Sequence, residues 1–141
     1  MPFRVLIIPA MFFVCSAFAL EHPEETLKQE VGISPALGSK VDLTLPFQDT
    51  AGNTIRIGDL MLGKPAIIVP VYYGCPRLCG LLLDGASKLF STISGLELGK
   101  DYNVFSVSFD PTNTPAMAAE RADHYYNLIK DPAAGPKGWH F

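Results

Sequence analysis

Residues 66–79 read Ala66-Ile67-Ile68-Val69-Pro70-Val71-Tyr72-Tyr73-Gly74-Cys75-Pro76-Arg77-Leu78-Cys79, and the fold turns on how this stretch divides. As far as Tyr73 it is nearly unbroken apolar sequence, the pattern of a strand covered on both faces. Pro70 removes one ladder donor and asks for an edge or bulge position, which counts against a central strand. Beyond Cys75 the period changes. Leu78, Leu82, Ala86, Leu89 and Ile93 recur at steps of four, four, three and four, which predicts a helix with those residues facing the core. Cys75 is then expected at the helix cap, Pro76 at the first helical position and Cys79 one turn later on the same side. Asp84 and Lys88 stand four apart off the stripe, and Gly95 is placed to end the helix.

Working outward, Val41, Leu43, Leu45 and Phe47 alternate with polar residues, residues 49–53 form a turn, and Ile55 and Ile57 alternate again, which predicts a β-hairpin. On the other side, residues 102–109 read as a second strand with Phe105, Val107 and Phe109 on one face. Thr114 as cap, Pro115 at the first helical position and the stripe Ala118, Ala122, Tyr125 and Ile129 predict a second helix. The order hairpin, strand, helix, strand, helix is an α/β layer architecture, and its strand-helix-strand unit should close as a right-handed parallel crossover. No strand pair or closing helix is expected after Gly138-Trp139-His140-Phe141. The fold is therefore expected to be incomplete at the C-terminus, with Val104, Phe105 and Val107 short of cover.

The 141 residues provide for one domain, placed at residues 40–141. Residues 20–39, acidic and carrying Pro23 and Pro35, read as an arm or linker. Residues 1–19 read as a secretory signal: Arg4 is the positive start, residues 5–15 are apolar, and Ala17-Phe18-Ala19 offers a small-x-small cleavage pattern. A retained membrane anchor is the alternative, but the apolar stretch is shorter than the ~20 residues that a crossing needs, and Pro9 interrupts it. Val14 is too large for a lipoprotein start at Cys15. The net charge is −3, one unit more acidic once Arg4 leaves with the leader, and without a basic run it argues against a nucleic-acid partner. Cleavage after Ala19 would place His22 third from a free amine, where amine, backbone nitrogens and imidazole could surround Cu(II). An ordinary histidine in an acidic arm is the competing reading.

Cleavage leaves two cysteines, Cys75 and Cys79, in an oxidising compartment where such a pair ends as a disulfide unless a reductant or a metal intervenes. Backbone N–H groups at a helix start, together with its dipole, favour thiolate over thiol. Residues four apart on a helix have Cβ atoms about 5–6 Å apart, wide for a disulfide but closable when the first lies at the cap. Two soft sulfurs also suit Cu(I), whereas Cu(II) wants an added nitrogen. A permanently bridged or buried pair remains the structural alternative. Neither spacing nor placement separates metal binding from dithiol redox work.

Three segments in order, Tyr72-Tyr73-Gly74-Cys75-Pro76-Arg77-Leu78-Cys79, Phe105-Ser106-Val107-Ser108-Phe109-Asp110-Pro111 followed by Thr114-Pro115, and Gly138-Trp139-His140-Phe141, resemble the Sco/SenC proteins over residues 37–141. The resemblance implies a thioredoxin-like fold in a periplasmic or membrane-tethered protein. It implies delivery of copper to the copper-bearing subunit of cytochrome c oxidase, or reduction of that subunit's cysteines with the help of a thiol reductant. By motif, Cys75 and Cys79 would be the copper-binding and redox-active residues, and Asp110 would lie near them. The family's third ligand, a histidine in a hairpin beyond the Gly-Trp-His-Phe segment, has no counterpart in this chain, and His140 does not match it.

Other candidates have simpler readings beside the functional ones. His124 follows Glu120 by four on a polar helix side and reads as a solvated residue. Asp110 either caps a turn before Pro111 or supports the site. Trp139 reads as core or interface surface, and Arg77 either steadies a thiolate or points to solvent. The rival functions are a general thiol-disulfide oxidoreductase or peroxidase, and an inactive truncated binding module.

Overall fold

The computed structural model describes residues 35–141, and residues Lys40–Phe141 form one compact unit. The leader, Cys15, most of the acidic arm and His22 lie outside the described residues. The architecture is α/β and thioredoxin-like: a two-stranded antiparallel hairpin, and a three-stranded parallel sheet with helices packed on it.

The hairpin is shorter than the alternation suggests. Strand β1 (Pro46–Gln48) pairs with β2 (Thr54–Arg56) in the register Phe47 opposite Ile55. Asp49 closes the turn, its carboxylate accepting from the N–H groups of Ala51 and Asn53 at 2.9 and 2.8 Å. Val41 and Leu45 stay exposed, so the early part of the alternating run is not strand. Ile57, expected to extend β2, instead opens a short helix α1 (Ile57–Met61) and is buried there.

Strand β3 (Ala66–Val71) lies at the edge of the larger sheet, not its centre. It pairs in parallel with β4 (Asn103–Ser108), and among the described residues no strand pairs with its other edge. That edge position tolerates Pro70, which has no N–H to give. It also explains why Ile67 and Ile68 remain 39 % and 40 % exposed although the run reads as doubly covered. The doubly flanked strand is β4, whose Asn103, Val104, Phe105 and Ser106 are all buried.

Helix α2 (Leu78–Thr92) forms where expected but is rotated. Leu83, Ser87 and Phe90 are buried, with Cys79, Ala86 and Ile93 packed against the core, while Leu78, Leu82 and Leu89 are exposed. Leucines occur on several sides of this helix, so the period by itself does not choose a face. Phe90 chooses it, by packing edge-on against Trp139 with ring centroids 5.0 Å apart. Ser87 can be buried because its hydroxyl donates to the Leu83 carbonyl at 3.1 Å.

Helix α3 (Pro115–Tyr126) matches its expected start: Thr114 caps it by accepting from the Met117 N–H, and Pro115 occupies the first turn. Its buried face is Ala118, Ala122 and Tyr125. After a 3₁₀ turn (Pro132–Ala134) and one helical turn, α4 (Gly135–Gly138), the segment Trp139–His140 forms β5 beside β4, pairing Val104 with Trp139. At Gly138 a Cβ would collide with the backbone of Gly99, so only glycine lets the chain turn into β5 there. This strand corrects the expected lack of cover: Val104 and Phe105 are buried and Val107 is half-buried. The apolar surface that stays open is elsewhere, on Ile67, Leu78, Leu81, Leu82 and Leu89.

Candidate functional site

The site begins where β3 ends. Residues 72–77 form a loop, and α2 starts only at Leu78, because Arg77 holds a non-helical φ of −138° and ψ of −74°. Pro76 is therefore not the first helical residue, and Cys75 precedes the helix proper while Cys79 is its second residue. The cause lies in the turn that carries the chain off the strand, in which the Cys75 N–H donates to the Tyr72 carbonyl at 3.2 Å.

This displacement leaves Cys75 well placed for ionisation. Arg77 offers the helix start no side-chain acceptor, so the first amides need another partner. Cys75 supplies it. The N–H groups of Cys79 and Arg77 and then the Cys79 thiol hold the Cys75 thiol down to about 7, with a smaller contribution from the Leu78 N–H. Arg77 acts on Cys75 through its backbone amide, and of the two readings of its side chain the exposed one holds. Cys79 differs: its Sγ accepts from the Tyr72 N–H at 3.3 Å. Both residues are half-buried free thiols, within reach of a partner molecule.

The loop is held by residues far away in the chain. Tyr73 is fixed at three points: its N–H donates to Asn113 Oδ1 at 2.7 Å, its carbonyl accepts from Arg121 Nε at 2.9 Å, and its hydroxyl donates to the Ser106 carbonyl at 2.6 Å. Burial pushes the Tyr73 hydroxyl up to about 12, so it stays a donor at neutral pH. Met117 lies beside Gly74, at 3.4 Å from where a Cβ would stand. Tyr125 donates to the Gly80 carbonyl at 3.3 Å, tying the start of α2 to α3. Sequence reasoning missed Tyr73, Asn113 and Arg121 as supports. The signal available was weak: an asparagine in a turn before the α3 cap, and an arginine next to the apolar stripe of that helix.

The other candidates resolve differently. Asp110 closes a turn, its carboxylate accepting from the Thr112 N–H at 2.9 Å and hydroxyl at 2.7 Å, and these bonds hold it below the usual carboxylate range. Phe109, just before it, packs on Tyr72 with centroids 4.3 Å apart, joining the ends of β3 and β4. His124 is exposed and edge-on to Tyr125. Trp139 is fully buried core, its Nε1–H donating to Ser106 Oγ at 2.8 Å. His140 stacks on Phe105, and burial lowers its imidazole below the ordinary value, which keeps it neutral. It lines a cavity of about 200 Å³ with Ser108, Asp110 and Asn113. Among the described residues, no group of three or more His, Cys, Asp and Glu side chains is placed to hold a metal ion. No described helix is long and apolar enough to cross a membrane.

No protein-family profile matches the chain, and no curated protein matches it. Solved structures do, and two of them are named for electron transfer or transport. One is a "putative electron transfer protein" from Aquifex aeolicus VF5, with 28 % identity and a TM-score of 0.58. The other is a "putative electron transport protein" from the same organism, with 27 % identity and a TM-score of 0.55. Each match covers 74 % of this chain, but the chain spans only 56 % and 60 % of those two proteins. The likeness joins an α/β fold with a neighbouring cysteine pair to proteins named for electron transfer.

Proposed function

We propose that this chain is a Sco/SenC-like protein of the periplasm or its membrane face, which binds copper through Cys75 and Cys79. Its partner is the copper-bearing subunit of cytochrome c oxidase, to which it delivers copper or whose cysteines it reduces. The observation that carries this reading is the placement of two half-buried free thiols at one strand-to-helix junction, Cys75 in the loop that leaves β3 and Cys79 as the second residue of α2. Two accessible sulfurs, one of them substantially ionised at neutral pH, suit a soft monovalent ion such as Cu(I). On binding, both thiols lose their protons and the two thiolates hold the ion.

The same pair supports electron exchange, the role in the names of the structural neighbours. The Cys75 thiolate attacks one sulfur of a partner disulfide, forming a mixed disulfide and expelling the partner's first thiolate. Cys79, losing its proton, then attacks the Cys75 sulfur and releases the second. Two electrons and two protons pass to the partner, and Cys75–Cys79 is left oxidised for a thiol reductant to restore. A general thiol-disulfide oxidoreductase is the second reading, favoured by this asymmetry of the two thiols.

Titration of the reduced chain with Cu(I) against a competing chelator decides between the two. Binding of one ion, lost in Cys75→Ser/Cys79→Ser, supports the copper reading. Equal binding by both proteins removes it.

A further inference from the structure

We infer that the packed rings of Tyr72 and Phe109 are the docking surface for the partner of the cysteine pair, and that this partner is a polypeptide with an apolar side chain next to its reactive cysteine. The inference names the class of partner for the proposed function, and it rests on the two thiols being the working groups. Tyr72 belongs to the site through its backbone. Its N–H donates to Cys79 Sγ at 3.3 Å, and its carbonyl accepts from the Cys75 N–H at 3.2 Å. A Cβ lies about 2.5 Å from its own nitrogen, so the Tyr72 side chain springs from within about 6 Å of the Cys79 sulfur. A molecule that brings a sulfur to the pair with a side chain beside it therefore meets this ring.

The rings are open to solvent and held still. Phe109 is 61 % exposed and Tyr72 is 39 % exposed, with their centroids 4.3 Å apart. Single exposed apolar residues are ordinary on a protein surface, but here two aromatic rings share one patch beside two half-buried thiols. Both backbones are fixed. Tyr72 has its N–H and its carbonyl engaged as above, and Tyr73 after it is bonded to Asn113, Arg121 and Ser106. Phe109 stands between two bonded residues: the Ser108 hydroxyl donates to Asn113 Oδ1 at 2.8 Å and accepts from the Asp110 N–H at 3.2 Å. The Asp110 carbonyl accepts from the Asn113 N–H at 3.1 Å. Little ordering is left for a partner to impose, and aromatic residues are enriched where protein interfaces are buried.

The charges beside the patch point the same way. Arg77 is exposed two residues after Cys75, while the Asp110 carboxylate is taken up by the Thr112 N–H and hydroxyl. A small thiol with charged groups could use Arg77 but would leave both rings bare. A polypeptide can present its sulfur to the thiols and lay a neighbouring aliphatic or aromatic side chain on the rings.

The test uses two synthetic peptides, each with an N-terminal iodoacetyl group, one continuing Leu-Phe-Leu and the other Gln-Ser-Gln. In both, the Cys75 thiolate displaces iodide: a C–S bond forms and the C–I bond breaks. Rates at Cys75 in the reduced full chain are followed by mass spectrometry of the fragment that carries it, and their ratio cancels the intrinsic reactivity of the thiol. The apolar peptide should react at least about fivefold faster with the wild-type chain, the effect of burying part of one apolar side chain. Phe109→Ser should bring the ratio below about twofold, and Phe109→Leu should keep most of it. A wild-type ratio near one overturns the proposal, and sedimentation of the same sample shows whether a second copy of the chain occupies the rings instead. A preference that Phe109→Ser retains overturns it equally and makes the ring pair a purely structural contact. The wild-type ratio needs no variant, so the proposal stays open to refutation if Phe109→Ser does not fold. Alkylation requires only a free thiol: a chain that shows the preference but binds no Cu(I) and reduces no disulfide loses the proposed function and keeps the docking surface.

Discussion

The N–H of Tyr72 donates to the Sγ of Cys79 at 3.3 Å, which ties the second cysteine of the pair to the end of β3. The Cys75 sulfur accepts no such bond from the strand end, and the amides of Cys79 and Arg77 hold its thiol down to about 7. Two thiols of one short motif thus have different surroundings, one anchored and one activated. Under the proposed redox role, that asymmetry would make Cys75 the attacking sulfur and Cys79 the resolving one.

Cys75 should alkylate with an apparent pKa near 7, and the reaction of the reduced wild-type chain with iodoacetamide between pH 5 and 10 measures it. The linked stability has a definite sign. The folded pKa lies below the ordinary thiol value of 9.0, so the contribution is fully present above about pH 9 and is lost as pH falls through about 7. Thermal melts of the reduced chain should show this dependence, and Cys75→Ser should remove it. A Cys75→Ser melt that keeps the same slope between pH 7 and 9 would contradict the assignment.

Substituting each cysteine alone should give unlike products. Cys79→Ser should accumulate a mixed disulfide with a small disulfide reagent, because nothing remains to resolve it, whereas Cys75→Ser should react more slowly at pH 7. Mass spectrometry after a timed exposure separates them. Equal rates in the two single variants would mean that the asymmetry has no chemical effect.

Trp139→Ala should be severely destabilising, by about 3–5 kcal/mol, because it empties a fully buried site and strips Ser106 Oγ of its indole donor. Trp139→Phe should cost less, since the ring is retained while the hydrogen bond is lost. Urea unfolding of the three proteins supplies the order. Near-equal midpoints would show that β5 contributes little to the core.

Leu78 and Leu81 are 74 % and 68 % exposed on α2. Replacing both with Gln should therefore change stability by no more than about 0.5 kcal/mol per site while reducing aggregation. Light scattering during a thermal ramp, beside a urea melt, provides both readings. A loss of several kcal/mol would mean that these side chains are covered in solution.

The local chemistry of this protein was legible in its sequence for physical reasons. Thr114-Pro115 before an apolar stripe dictates the start of α3, since capping and proline geometry are settled by neighbours in the chain. Pro70 asks for an edge or bulge position, and among the described residues β3 takes the edge, because a missing N–H is missing in any fold. Cys75 and Cys79 stand out through residue type, spacing and their place between an apolar run and a helical period.

What only the tertiary structure decided was which surface each element buries and what holds the reactive loop. Leu78, Leu82, Ala86, Leu89 and Ile93 keep a helical period, yet the packing of Phe90 against Trp139, 49 residues later, rotates the helix toward Leu83 and Ser87. The role of Asn113 depends on a hydrogen bond spanning 40 residues, and no local pattern encodes such a contact. The start of α2 at Leu78 rather than Pro76 has the same origin. The chain leaving β3 first closes a turn, in which the Cys75 N–H donates to the Tyr72 carbonyl at 3.2 Å, and Asn113 and Arg121 hold the Tyr73 peptide inside it.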